Sequence, residues 1–391
     1  MPRAPRVLVS AIALSQPMGG VLRQAMELLP RVARRLDAGG GRLDVLLARE
    51  GLDGRFAQLL PASVGRIPTG VAHSGGPFRR ALAEPRALGA AMDAAAARGE
   101  PYDLVHATTL PVPGRARPLC FLIHDLRDLE PGAPTWRRLG ARRLLPCTLR
   151  TARAVLTVSH TMEAELLRRW PDLAGRVRVV RHGADHLPLR DRHPGPMHGE
   201  RIDLAPERTE AADRDERPPI VYLGHLERRK NLELLLEALA LDPDLPPLLL
   251  AGRAKAGEDA RLASRARALG VAHRVRIDGP TAEPELPWLY ASAGCLAMPS
   301  RIEGFGIPVL EAQRAGLPVS VAEAGALPEV SAPGTPTFPV DDARACATAL
   351  RRALEASPGQ VAAARRFADG FRWEASAEAL LGAWNEAAGL S

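Results

Sequence analysis

The sequence predicts an α/β protein of two domains, each built on a doubly wound parallel sheet. Three observations lead there. Short apolar runs rich in leucine and valine alternate with arginine- and alanine-rich amphipathic stretches through most of the chain. A length of 391 residues is a prior for two or three domains and is enough chain for large cores. The alternation is interrupted by a polar, proline-rich stretch from about Ala184 to Pro219, after which it restarts.

In the first half, the strand-like runs are Val7–Leu14, Leu43–Ala48, Leu104–His106, Leu119–His124 and Ala154–Ser159. Helical patterns fall between them at Val21–Leu36, Ala87–Arg98, Pro134–Thr151 and Thr161–Trp170. Arg176–Gly183 closes the half as a last strand, and the interruption contains Asp191-Arg-His-Pro-Gly-Pro and Ala211-Ala-Asp-Arg-Asp-Glu-Arg-Pro-Pro. The predicted domains are therefore residues 1–185 and 219–371, joined by a linker or surface excursion over 186–218. The second half opens on Pro219–Gly224, a strand ending in glycine, followed by the leucine-periodic helix Leu232–Ala240. Leu248–Gly252, Val275–Gly279, Cys295–Pro299 and Leu317–Val321 supply further strands. Glycine recurs where these strands end, as backbone close to a ligand requires. Ligands of parallel α/β sheets bind outside the carboxyl ends of the strands, so two such halves facing each other would form a cleft.

The formal charge of +7 comes from arginine rather than lysine. It favours phosphate-bearing ligands or an anionic membrane surface. Aromatic residues make up only 4% of the chain and no basic run interleaves them, which argues against a nucleic-acid platform. The arginine-rich run Arg137–Arg143 reads as a solvated helix face. Cys120, Cys147, Cys295 and Cys346 lack the close pairs of a zinc site and the density of a disulfide scaffold, so they are expected reduced and buried. The apolar segment Val7–Leu14 is too short to span a membrane and has no convincing cleavage site, so it reads as the first strand of a cytoplasmic protein.

The segment with most chemistry is Pro299-Ser-Arg-Ile-Glu-Gly-Phe-Gly-Ile-Pro-Val-Leu-Glu311. It places two carboxylates eight residues apart around a glycine-rich turn that opens a helix. Pro308 suits the first helical position, and Gly316 suits a left-handed stop. The backbone N–H groups of Gly304, Phe305, Gly306 and Ile307 are left without helical partners, which suits a turn that binds anions or hydroxyls.

This segment resembles the Glu-x7-Glu signature of the retaining family 4 glycosyltransferases, whose fold, GT-B, is two Rossmann-like doubly wound domains facing across a cleft. The resemblance extends over ordered blocks: Gly19-Gly20-Val21, Tyr102–His106, Phe121–Asp125, Ala154–Leu166 and Arg178–Asp185 in the first half. In the second half, Gly224–Asn231 resembles the phosphate block, Ala322–Val330 the loop after the signature, and Phe371–Trp384 the terminal helix. In that fold the terminal helix returns to the first domain, so residues from about 372 to 391 would complete it, with Trp373 and Trp384 as packing anchors.

The resemblance implies a site residue by residue. Glu303 lies by the donor sugar, the amides of Gly304, Phe305, Gly306 and Ile307 bond sugar hydroxyls, and Glu311 accepts from the ribose. Gly19 and Gly20 face the donor diphosphate. Lys230 neutralises that diphosphate and stabilises the charge growing on the leaving group. His124 contacts a sugar hydroxyl, with Asp125 orienting it, and His106 stays open between function and structure. His225 departs from the pattern, standing where arginine is common, so either Arg229 or Arg228 substitutes or a protonated His225 serves beside the phosphates.

The implied activity is retaining transfer from a nucleotide sugar to a hydroxyl acceptor, by front-face displacement. The acceptor would be a saccharide or a lipid-linked glycan, as in surface-polysaccharide synthesis. Likeness to bacterial mannosyl- and rhamnosyltransferases favours GDP-mannose, with a UDP- or TDP-sugar still open. No cofactor or metal is expected, because no Asp-x-Asp cluster stands beside the site. A peripheral contact with the anionic inner leaflet would follow from the basic first domain. Two other classes compete: a non-catalytic relative serving as scaffold or partner subunit, and a nicotinamide oxidoreductase. The latter lacks a Gly-x-Gly-x-x-Gly after either opening strand.

Overall fold

The computed structural model describes residues 3–15, 19–48, 55–71, 76–108, 118–130, 132–189 and 217–390. The chain forms two compact units: residues 1–183 with 373–391, and residues 184–372. Most of the expected 186–218 excursion, and part of the turn before Gly19, lie outside the described residues.

In the first unit the order is β1 (Arg6–Ser10), α1 (Gly20–Ala38), β2 (Arg42–Leu47), α2 (Arg55–Leu59), β3 (Gly65–Pro68), α3 (Gly76–Ala97), β4 (Leu104–Ala107), β5 (Leu119–Ile123), α4 (Thr135–Thr151), β6 (Ala154–Thr157), α5 (His160–Arg169) and β7 (Val177–Val179). All seven strands pair in parallel in the order β3-β2-β1-β4-β5-β6-β7. The central strands are apolar on both faces, as parallel strands covered by helices must be; Val7, Leu8, Val105, Cys120 and Val155 are all buried. Local chemistry sets several boundaries. Ser159 Oγ accepts from the Met162 N–H at 3.1 Å and so caps α5, satisfying one of the donors that a helix start leaves over.

The second unit runs β8 (Ile220–Leu223), α6 (Glu233–Leu241), β9 (Leu248–Ala251), α7 (Glu258–Ala268), β10 (Val275–Asp278), α8 (Leu286–Ser292), β11 (Cys295–Met298), α9 (Ile307–Arg314), β12 (Val319–Ala322), β13 (Thr337–Phe338), α10 (Ala343–Leu354) and α11 (Pro358–Asp369). Its sheet, again parallel, has the order β10-β9-β8-β11-β12-β13. In both sheets the order reverses beside the opening strand, at β1/β4 and at β8/β11. These are the switch points outside which doubly wound sheets bind ligands.

The last helix, α12 (Trp373–Ala388), belongs to the first unit. Trp373 and Trp384 are both fully buried. Arg35 of α1 bonds Glu374 and Glu378, and Arg178 bonds Glu386, so ion pairs rim an apolar seam. The burial supplies the energy: truncating either tryptophan to alanine would cost about 3–5 kcal/mol.

Two expectations need correction. Pro308 is the second residue of α9 rather than the first. Cys147 lies exposed on α4, while Cys120, Cys295 and Cys346 are buried.

Candidate functional site

In the second unit the chain leaves β8 through Gly224-His225 and turns through a short 3-10 segment, Arg228–Lys230, which ends at Asn231 in the left-handed region, φ 56°. This turn folds Lys230 back into the protein, where its side chain is only 9% exposed. The neighbouring strand β11 runs on through Pro299-Ser300, and the chain there reaches Glu303. Lys230 Nζ donates to Glu303 Oε2 at 2.5 Å. The switch point thus brings together two predicted residues that lie far apart in sequence. A Lys–Glu pair this buried is strongly coupled, because little water screens it.

Backbone contacts hold Glu303. The Ala326 N–H donates to the Glu303 carbonyl at 2.9 Å, which lays the loop after β12 across the signature turn. Gly325, at φ 53°, makes this approach feasible, since a Cβ there would stand 2.3 Å from the Glu303 carbonyl oxygen. Gly306 caps α9 at φ 105°, and its Cβ would press on Leu327 at 3.1 Å. Gly304, Phe305, Gly306 and Ile307 form the turn, with Phe305 buried. The helix ends as expected. Gly316 takes φ 76°, with Gly316 N–H bonding Gln313 O and Leu317 N–H bonding Ala312 O.

Glu311, on α9, is buried and held by residues the sequence did not single out. Tyr290 Oη donates to Glu311 Oε2 at 2.5 Å, and His186 Nε2 lies 2.9 Å from Glu311 Oε1. Gln313 was likewise missed; it bonds the Val330 carbonyl and the Ala332 N–H, fixing α9 to the following loop.

Of the three residues expected to stand in for the missing arginine, Arg228 lies exposed, while Arg229 and His225 do not present free cations. Arg229 is spent on the protein itself, with Nη1 donating to the Ile302 carbonyl at 2.9 Å and Nη2 paired with Glu227 at 2.7 Å. His225 has its pKa lowered, first by burial, then by Lys255, Lys230 and Arg229, against the pull of Glu227. In the ligand-free protein these shifts favour the neutral imidazole.

In the first unit, Gly19 and Gly20 open α1, and Gly19 has φ 51°. His124 follows β5. Burial lowers its pKa to about 4, with Asp125 and Arg127 acting in opposite directions. The Asp125 carboxylate accepts from the Arg127 N–H at 3.2 Å and acts on His124 as a nearby charge. His124 Nε2, Gln24 Nε2 and Thr108 Oγ1 are buried without hydrogen-bond partners, and these residues line one small cavity with His106 and a set of apolar side chains. Each such orphan costs about 1–3 kcal/mol. His106 is structural. Its Nδ1 accepts from Trp384 Nε1 at 3.2 Å, which requires a lone pair there, and burial lowers its pKa to about 3.

Comparison with known proteins bears on this geometry. The family model described as "Glycosyl transferases group 1" matches residues 205–368, and that for "Glycosyltransferase Family 4" matches residues 18–186. The chain belongs to the group 1, family 4 glycosyltransferases.

Among curated relatives, a D-inositol 3-phosphate glycosyltransferase of Rhodococcus jostii is 31% identical over 66% of this chain and 57% of its own length. The O-antigen chain mannosyltransferase B of Escherichia coli is 29% identical over 58% of this chain and 59% of its own length. The chain thus spans less than two thirds of these relatives. Among solved structures, a sucrose-phosphate synthase from Thermosynechococcus elongatus superposes with TM-score 0.71 at 21% identity, over 99% of this chain and 100% of that one. Anabaena HepE, solved with UDP and glucose, gives TM-score 0.67 at 21% identity, over 96% and 98%. These likenesses establish the fold, GT-B, with its two parallel-sheet Rossmann-like domains. Among the described residues, no helix is long and apolar enough to cross a membrane, and no group of three or more His, Cys, Asp or Glu could hold a metal ion.

Proposed function

We propose that this chain is a retaining glycosyltransferase that moves a sugar from a nucleoside-diphosphate sugar to a hydroxyl of a saccharide or lipid-linked acceptor. The observation that carries the reading is the Lys230–Glu303 pair at the β8/β11 switch point, one turn of chain from the buried Glu311. An ammonium has three donors, so Lys230 keeps Glu303 and still takes a phosphate oxygen. In the reaction it stabilises the negative charge that grows on the departing diphosphate, a kind of electrostatic contribution that is often the largest in catalysis. The turn amides of Gly304 to Ile307 hold the sugar and Glu311 holds the ribose.

The acceptor oxygen attacks the anomeric carbon on the face the diphosphate leaves. The acceptor proton passes to the leaving phosphate oxygen, so no protein base is consumed. His124, neutral at pH 7, contributes a hydrogen bond to a sugar hydroxyl rather than a charge. Lys230 meets the phosphate charge without a metal ion, so activity survives a chelator. The Escherichia coli relative's name supports a mannosyl donor; the UDP in the HepE structure supports a uridine one.

Peripheral contact with anionic lipid falls to α4. That helix has no acidic residue, carries Arg137, Arg138, Arg142 and Arg143, and leaves Trp136 and Leu139 exposed.

A second reading, a non-catalytic partner subunit, is favoured by one observation: Arg229 is tied up internally and the pKa of His225 is lowered, so the phosphate clamp rests on Lys230 and the exposed Arg228. A thermal-shift panel with UDP, GDP, ADP and TDP, followed by a turnover assay on the stabilising nucleotide's sugars, separates the two. Selective stabilisation lost in Glu311→Ala, together with turnover lost in Lys230→Ala, supports the enzyme. Stabilisation without turnover on any sugar supports the subunit, and no stabilisation by any nucleotide sinks the donor-site reading.

A further inference from the structure

The buried carboxylate of Glu311 does not stand alone on its helix. It lies between two side chains from distant parts of the second unit: Tyr290, at the carboxyl end of α8, and His186, in the segment entering the unit. All three are nearly sealed. The Glu311 side chain is 5% exposed and that of His186 1%, and Tyr290 is 1% exposed. Tyr290 Oη donates to Oε2 at 2.5 Å, and His186 Nε2 stands 2.9 Å from Oε1 but out of line for a hydrogen bond, so the carboxylate is hydrogen-bonded at one oxygen and packed by the imidazole at the other.

The segment bearing His186 is pinned to the same helix. Arg314, one turn after Glu311 on α9, donates to the carbonyls of Leu187 at 3.0 Å and Ala184 at 3.4 Å. Ala184 N–H bonds the Phe371 carbonyl at 2.9 Å, and Asp185 lies 3.8 Å from Arg372. These contacts make the His186 loop a fixed wall of the site. Tyr290 is fixed by its burial in α8.

We infer that Tyr290 and His186 are positioning residues that lock the Glu311 carboxylate for recognition of a ribose 2′,3′-diol, and so set the preference for ribonucleotide over 2′-deoxyribonucleotide donors. The inference rests on the proposed role of Glu311. Each carboxylate oxygen has two lone pairs, so neither contact by itself uses up an oxygen. A carboxylate free to rotate would lose orientational freedom on meeting the diol; one already gripped from two sides does not, and the saving appears as affinity specific to the diol. A nucleotide lacking the 2′-hydroxyl forgoes one bond to a charged acceptor, and the gripped carboxylate cannot turn to compensate. Specificity of this kind is a difference between two affinities, which makes it measurable apart from stability.

The test measures Kd by calorimetry for UDP, GDP and ADP, each against its 2′-deoxy form, in the full chain and in Tyr290→Phe, His186→Phe and Glu311→Gln. Tyr290→Phe removes a single oxygen atom, and unfolding temperatures are recorded for all variants, so a misfolded protein is recognised. The wild-type chain is expected to prefer the ribonucleotide by roughly tenfold or more, as a hydrogen bond to a charged group implies. Tyr290→Phe and His186→Phe are each expected to reduce that ratio at least threefold, through weaker ribonucleotide binding with the deoxy affinity nearly unchanged. A merely structural role would weaken both forms equally and leave the ratio where it was. A ratio retained in both positioning variants but lost in Glu311→Gln overturns this inference and leaves the ribose reading standing. A wild-type chain without the preference, or one whose preference survives Glu311→Gln, overturns the ribose reading and this inference with it.

Discussion

Replacing Lys230 with methionine separates what the Lys230–Glu303 pair does for stability from what it does for catalysis. The side chains are 9% and 15% exposed and meet at 2.5 Å. Two unit charges about 4 Å apart at an effective dielectric near 20 attract by about 4 kcal/mol, and breaking a buried pair by removing one partner costs about 3–5 kcal/mol. The two figures agree, and the remaining exposure argues for the low end. Lys230→Met should therefore destabilise the second unit by about 3 kcal/mol, which for a domain of this size lowers Tm by roughly 6–12 °C. Adding Glu303→Leu removes the stranded carboxylate and should restore most of that loss, leaving the double variant within about 1 kcal/mol of the parent chain. Differential scanning calorimetry can read this shift. Turnover should stay low in both variants, by about 10²–10³-fold if Lys230 stabilises the leaving group. The reasoning fails if the single and double variants melt together, since the pair would then not be coupled. It fails differently if the double variant turns over sugar at the parent rate.

Acid should loosen the first unit through His106. Its pKa is about 3 in the fold against 6.5 ordinarily, so below pH 6.5 the unfolded chain takes up a proton that the native state refuses. The stability is present above pH 6.5 and is lost progressively as pH falls toward 3; between pH 7 and pH 4 the loss is about 3 kcal/mol. His106→Gln should show a pH slope in urea unfolding flatter by that amount, and an identical slope would refute the burial argument. Vesicle sedimentation should show binding to anionic but not neutral lipid, weakening with added salt. With about 1 kcal/mol per basic residue near the surface, Arg142→Glu with Arg143→Glu should lower affinity by at least about 30-fold. Salt-insensitive binding would count against α4 as an electrostatic contact.

Much of the fold is legible because parallel strands buried on both faces must be apolar throughout, and Leu248–Ala251 or Leu119–Ile123 read as nothing else. The edge strands carry no such signal. β3, Gly65-Arg-Ile-Pro68, is only half-covered and ends in proline, and β13 is two residues long. In the site, the glycine turn and its glutamates are visible because unusual backbone demands unusual residues. Tyr290 and His186 are not. A side chain that supports another through space needs no special backbone and sits at no fixed spacing from its partner, so nothing in the order of residues announces it. The fate of Arg229 was hidden for the same reason: its competitor for phosphate is a main-chain carbonyl, that of Ile302.

The place of α12 in the first unit also orders events during synthesis. The ribosome makes β1 to β7 first, then the whole second unit, and only then Trp373 and Trp384. At about 5–20 residues per second, the intervening stretch takes roughly 10–40 s to appear. Through that interval α1 lacks the helix that covers it, and His106 lacks the indole that bonds it. The second unit has no such dependence and completes its fold while the first is still waiting. The half made first is therefore finished last, and it is the half exposed to proteases and chaperones while the chain is being made.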